Sequence, residues 1–259
     1  MFFSPFHLVD RRPWPIVTAV RSLVLVESFI SLFYYYAAFV VYVRMVALVI
    51  VVSQWWRDVV RERTMQGFHS LLVVGGLKFG MLLFITSEVL FFFSFFWGYF
   101  NYSLVTIIEL GIVWPPVGLV NFNCFDVPLL GTAVLLSSGV TVTWSHHSLI
   151  AGNLTQRYNS LIYTCVLGFY FLFIQYTEYS SAEFCFSDSV YGSIFFLLTG
   201  FHGFHVLVGV TFLVVCLFRL LIYHFSMSHF AGYEFAIWYW HFVDVVWLFL
   251  YVFVYWWGG

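Results

Sequence analysis

The run Ile237-Trp-Tyr-Trp-His-Phe-Val-Asp-Val-Val-Trp-Leu-Phe-Leu-Tyr-Val-Phe-Val-Tyr-Trp-Trp257 decides the fold. It is long enough to cross a bilayer as a helix, which takes roughly 20 residues. Asp244 is its only ionisable carboxylate. A charge at the centre of such a helix costs about 2.5–3.5 kcal/mol on insertion scales, so it is expected to face protein and a partner. His241 lies three residues before Asp244 and shares its helix face. The run reads as a membrane helix with a polar seam turned inward.

Composition extends this reading to the whole chain. Charged residues make up only 8% and hydrophobic residues 63% of the sequence, where a soluble domain carries about 25% charged. Mean hydropathy is +0.95. A net charge of −2 offers no footprint for nucleic acid. The N-terminus Met1-Phe-Phe-Ser-Pro5 lacks the basic region and small-residue cleavage site of a secretory signal, so the first helix is expected to act as its own insertion signal. Cysteines stand singly at 124, 165, 185 and 216, without the Cys-x-x-Cys spacing of a zinc or redox site. Cys165 and Cys216 fall inside apolar runs. Cys124 and Cys185 fall in loops on one side of the membrane, and whether they pair stays open.

Breaks in the apolar pattern predict an all-α polytopic membrane protein with seven transmembrane helices, near 15–34, 38–56, 77–100, 128–148, 158–178, 190–221 and 233–256. No fixed-period repeat is evident. Basic residues then sort by side. Arg11, Arg12, Arg57, Arg61, Arg63, Lys78, Arg157 and Arg219 share one side if there are seven helices, whereas 101–127, 179–189 and the tail hold no Lys or Arg. Positive-inside sorting puts the N-terminus inside and the C-terminus outside. The chain reads as a single membrane-embedded domain, 1–259, built from a two-helix part (1–56), an inner-side connection (57–76) and a five-helix part (77–259).

Several strings together resemble subunit III of the haem–copper cytochrome c oxidases. They are Gln54-Trp-Trp-Arg-Asp58 with Arg61-Glu62, Phe84-Ile-Thr-Ser-Glu-Val-Leu-Phe-Phe92, Trp114-Pro-Pro116, Val127-Pro-Leu-Leu130 and Thr143-Trp-Ser-His-His-Ser148. Asp188 with Val190-Tyr-Gly-Ser193, Thr199-Gly-Phe-His-Gly-Phe-His205 and the run from Trp238 to Tyr251 follow in the family's order and spacing. The resemblance runs from Pro5-Phe-His7 to Trp256-Trp-Gly258 and implies a seven-helix subunit of the terminal respiratory oxidase. Helices 1–2 and 3–7 would stand around a lipid-filled cleft, packed against the catalytic subunit I and other subunits of the complex. Haem and copper would belong to partner subunits, with no cofactor on this chain and no catalytic or metal-binding residues. Its part would be to stabilise the complex over many turnovers, bind structural phospholipid and shape oxygen or proton access, in the mitochondrial inner membrane with the N-terminus on the matrix side. The chain departs from the family at Gln66-Gly-Phe-His69, at His229-Phe-Ala-Gly232 and in the loop before Glu109-Leu-Gly111.

Polar residues inside the apolar runs are the candidate sites. Glu88 falls about twelve residues into the third run, near mid-bilayer at ~1.5 Å per residue. His202 and Asp244 lie at similar depth in the sixth and seventh. One reading makes Glu88, His202, His205, His241 and Asp244 a protonatable network; the plainer one is a satisfied hydrogen-bond network that fixes helix packing. The resemblance adds that the family's glutamate in the Ser-Glu-Val-Leu-Phe string reacts with carbodiimide, as a carboxyl kept neutral does. His146 and His147 point about 100° apart on a helix and do not readily share one ion. His202 and His205 could, yet a closed site needs further ligands.

Two more groups stand out. Trp55, Trp56, Arg57, Arg61, Arg63, His69 and Arg219 gather at the inner interface, where they would recognise anionic phospholipid headgroups or simply set topology. Glu27 and Arg44 are equidistant from a hairpin turn near 35–36, which predicts an intramembrane ion pair, with Arg44 snorkelling to the interface as the alternative. On residue chemistry alone, a proton-coupled seven-helix transporter using Glu88 and Asp244 is the competing function, although it would be expected to show repeats or broken helices.

Overall fold

The computed structural model describes residues 6–35, 38–105, 113–227 and 229–258. The turn predicted near 35–36 falls partly, and the Glu109-Leu-Gly111 departure wholly, outside them. Seven long helices occur among the described residues: α1 (Trp14–Tyr35), α2 (Ala38–Thr64), α3 (Leu71–Leu104), α4 (Val127–Ile150), α5 (Leu154–Ser180), α6 (Val190–Leu221) and α7 (Ala231–Leu250). A π-helical turn, Tyr251–Trp256, continues α7. All seven are long and apolar enough to cross a membrane.

Helix starts follow local chemistry. Asn153 caps α5 by accepting from the Gln156 amide, and Ser189 caps α6 by accepting from the Gly192 amide. Pro128 sits in the first turn of α4, where its missing N–H costs nothing. The largest departure from expectation is at the inner-side connection, predicted over 57–76. α2 runs on to Thr64 and α3 begins at Leu71, because backbone hydrogen bonding continues past the point where the side chains turn polar. The turn closes through Gly67, whose φ of +67° favours glycine.

Two compact units result, one reaching Leu77 and the other starting at Lys78. In the first, α1 packs on α2, and both leave most of their apolar residues exposed. In the second, α4, α5, α6 and α7 pack around one core. Trp240 on α7 is its central wedge. A Cβ on Gly168 of α5 would lie 2.5 Å from Val210 and 2.8 Å from Trp240, and one on Gly209 of α6 2.9 Å from Trp240. The indole needs both glycines bare.

α4 and α7 are also joined by a ladder. Trp247, Trp240 and Tyr233 donate to the hydroxyls of Thr132 (3.0 Å), Ser138 (2.9 Å) and Ser145 (2.7 Å). Each step of six or seven residues along α4 meets a step of seven backward along α7, as antiparallel helices with a near-heptad seam require. α3 is held differently, by rings: Phe91 and Phe95 meet Phe201, Phe92 meets Phe242, and Phe96 meets Phe249 and Phe253.

Candidate functional site

At mid-length of α3 and α6, Glu88 Oε2 lies 2.8 Å from His205 Nε2. The other ring nitrogen, Nδ1, is 2.6 Å from the Phe201 carbonyl, an acceptor, so Nδ1 carries a hydrogen. Two states satisfy this geometry. Either a protonated Glu88 donates to Nε2, or an imidazolium faces a carboxylate. In either state the pair carries no net charge, and each group finds its polar partner among the rings of Phe91, Phe92 and Phe242.

The other three expected members of the network sit elsewhere. His202 is fully buried, with Nε2 3.2 Å from the Val243 carbonyl and its ring between Phe171 and Trp247. His241 and Asp244 face α4 instead. His241 Nδ1 is 3.8 Å from Asp244 Oδ2, and Nε2 is 3.4 Å from the Thr143 hydroxyl. A Cβ on Gly139 would come within 2.9 Å of Asp244 Oδ2, so that glycine makes room for the carboxyl. Together they floor a groove of about 620 Å³ between α4 and α7, which Trp144 and His147 also line. The five residues thus form three arrangements separated by helix rotation, not one chain of hydrogen bonds.

Among the inner-interface residues, Trp56 and Arg61 are exposed and Trp55, Arg63 and His69 half-buried. Arg57 bridges to Asp58 at 3.3 Å, and Asp58 also accepts from the Trp14 indole at 2.8 Å. Arg12 pairs with the buried Glu62. Burial, helped by the nearby charges of His7 and Arg63, holds the His69 imidazole below its usual range. Arg219 takes a more sheltered place. It is buried against the Phe225 ring, 4.2 Å from the centroid, and Gly232 leaves the space for it.

Glu27 and Arg44 do meet. Arg44 Nη1 donates to the Val24 carbonyl at 2.9 Å and lies 3.5 Å from Glu27 Oε2. All four cysteines are free. Cys185 is exposed, and its amide donates to Asp188 Oδ2 at 2.6 Å, holding that carboxyl below the usual range.

Sequence reasoning missed three groupings. Glu178, read as the last residue of its span, is buried, and its Oε1 accepts from the Tyr255 hydroxyl at 2.5 Å and from Gln175 at 3.4 Å. The π-helical turn aims Tyr255 there, and a regular heptad reading does not anticipate it. Lys78 pairs with Glu234 at 2.7 Å, joining the third turn of α3 to the first turn of α7. His7, Glu62 and His69 converge within one unit. Of these three, only His69 stands out in the sequence, among the inner-interface residues.

Comparison with known proteins gives one answer. Residues 4–259 match the family model described as cytochrome c oxidase subunit III. The chain is 55% identical to cytochrome c oxidase subunit 3 of Pisaster ochraceus over 255 residues, covering 98% of each. It is 54% identical to that of Drosophila melanogaster over 255 residues, covering 98% of this chain and 97% of the relative. With the Paracentrotus lividus protein identity is 53%, covering 98% of each.

Proposed function

The chain belongs to the cytochrome c oxidase subunit III family and is a subunit of the respiratory oxidase, and from this we propose that its own part is structural rather than redox. It stabilises the catalytic subunit I, holds phospholipid at its inner interface, and shapes oxygen or proton access from beside the reaction. The observation that carries this reading is the engagement of the midplane histidines. His205 uses both ring nitrogens, on Glu88 and on the Phe201 carbonyl, and His202 spends Nε2 on Val243 while its Nδ1 is enclosed without a hydrogen-bond partner, the ring packed between Phe171 and Trp247. Residues tied in this way fix helices against one another. The transporter alternative falls with the family match over the full chain.

The lipid reading rests on Arg57, Arg61, Arg63 and His69 beside Trp55 and Trp56 at one end of α2, a basic and aromatic cluster suited to anionic headgroups. Arg219 would contribute from its own unit through the edge of a buried guanidinium. The exposed apolar residues of α1 and α2 suit lipid and neighbouring subunits. The setting we infer is the mitochondrial inner membrane, N-terminus on the matrix side.

The test is to strip this chain from the purified oxidase with mild detergent and record reduced-minus-oxidised spectra of both fractions. The expected result is all haem in the remainder and none with the chain. Haem travelling with the isolated chain would overturn the proposal.

A further inference from the structure

We propose that His7, Glu62 and His69 form a binding site for one transition-metal dication of the zinc class, tying the N-terminal segment to the turn after α2. One ligand atom from each of the three residues lies within 4.8 Å of the other two. A tetrahedral zinc site, with bonds of about 2.0–2.2 Å, needs donors roughly 3.5 Å apart, so side-chain shifts of about an ångström close the set. Two imidazoles and one carboxylate suit zinc, cobalt or nickel better than calcium or magnesium, which take all-oxygen shells. Three protein donors leave a fourth position for water.

The surroundings are built to hold these donors. Glu62 is 3% exposed; Arg12 holds its Oε1, and its Oε2 faces His7 Nε2 at 3.8 Å. The Arg12 contact orients the carboxylate as an outer-shell partner does in metal sites. His7 stacks on Phe68, with centroids 5.5 Å apart and planes at 17°, and stands 5.3 Å from the His69 ring. Phe68 is itself pinned, since its amide donates to the Glu62 carbonyl at 3.2 Å. His69 Nδ1 is buried and has no hydrogen-bond partner. His69 also turns one ring nitrogen toward Glu62 and His7, so an imidazole with a buried, unsatisfied nitrogen stands beside a carboxylate and a second imidazole.

The charge balance tolerates a dication. Arg12 lies 3.8 Å from Asp10 and 4.0 Å from Asp58 as well as on Glu62, and Arg57 pairs with Asp58. Three carboxylates therefore face Arg12 and Arg57, and Arg63 is the further cation whose charge reaches His69.

The test uses the intact oxidase, depleted with a chelator and then titrated with Zn²⁺. Wild type is expected to retain one more equivalent than complexes carrying His7→Phe or His69→Gln, with affinity falling about tenfold or more in either variant. In wild type alone, Zn²⁺ should also slow proteolysis of the N-terminal segment. Equal retention in all three overturns the site. Should the variants fail to assemble, zinc-edge anomalous density from the unmodified complex decides it: a peak within bonding distance of all three side chains supports the site, and its absence at saturating Zn²⁺ refutes it.

Discussion

At the scale of single residues, the polar groups divide by what replaces water around them. Glu88 is satisfied by one histidine, and the pair needs only a single proton to be neutral. Asp188 is satisfied by a backbone amide and sits in solvent. Because the folded-state pKa of Asp188 lies below its unfolded value, its contribution is present above the usual carboxylate range, near pH 3.9. It is lost as pH falls through the folded value. The protection factor of the Cys185 amide, its exchange rate set against an unstructured peptide at the same pH, is therefore expected to fall on acidification through that window, and to be low at all pH values in Asp188→Ala. An unchanged pH profile in the variant would contradict the assignment. Glu27 and Arg44 present the opposite case, two charges within apolar helices. Exchanging them (Glu27→Arg with Arg44→Glu) should restore assembly that each single reversal impairs. A coupling of about 0.5–1.7 kcal/mol is expected, as for other polar pairs in membranes. Equal tolerance of both single changes would show that Arg44 relies on the Val24 carbonyl alone.

At the scale of elements, α7 is the organiser. It donates three side-chain hydrogen bonds to α4, one every two turns, and drives Trp240 between glycines of α5 and α6. Where lipid removes most of the hydrophobic drive between helices, close packing and such bonds carry the association. Gly168→Leu should therefore disrupt the five-helix unit outright, since no flexible group can yield to the new side chain. Ser138→Ala should cost only about 1 kcal/mol. Resistance of the purified complex to detergent and heat measures both, and a mild effect at Gly168 would show that Trp240 can repack. The seven helices were legible beforehand from apolar run lengths, and α6 matches its expected range of 190–221 residue for residue. α2 and α3 proved longer than their apolar cores, because helical hydrogen bonding is indifferent to where the polar side chains begin.

At the scale of the whole molecule, basic residues mark one end of the larger, second unit. Within the second unit Lys78 sits in the third turn of α3, Arg157 in the first turn of α5 and Arg219 in the last turn of α6, where Tyr158 also donates to the Leu220 carbonyl. If this end faces the matrix, Cys185 faces the opposite compartment. A membrane-impermeant maleimide applied to the outer face of intact mitoplasts should label Cys185, which is exposed, and spare Cys165 and Cys216, which are buried. Labelling only after the matrix face is opened would reverse the topology.

By itself the sequence determined the membrane class, the number of helices and the family, because apolar run length, charge bias and motif order are local or additive properties. It also points to Glu27 and Arg44 as neighbours, since a hairpin equates depth with distance from the turn. Only the tertiary structure decided which polar group meets which elsewhere. His205 and not His202 faces Glu88, Asp244 turns toward Gly139, Glu178 finds Tyr255 through a π-helical turn, and His7 reaches Glu62 and His69. Each of these depends on how far a helix is rotated about its axis or how a terminal segment folds back. Rotation is set by steric fit among distant side chains, such as Trp240 against Gly168 and Gly209, which no single stretch of sequence encodes.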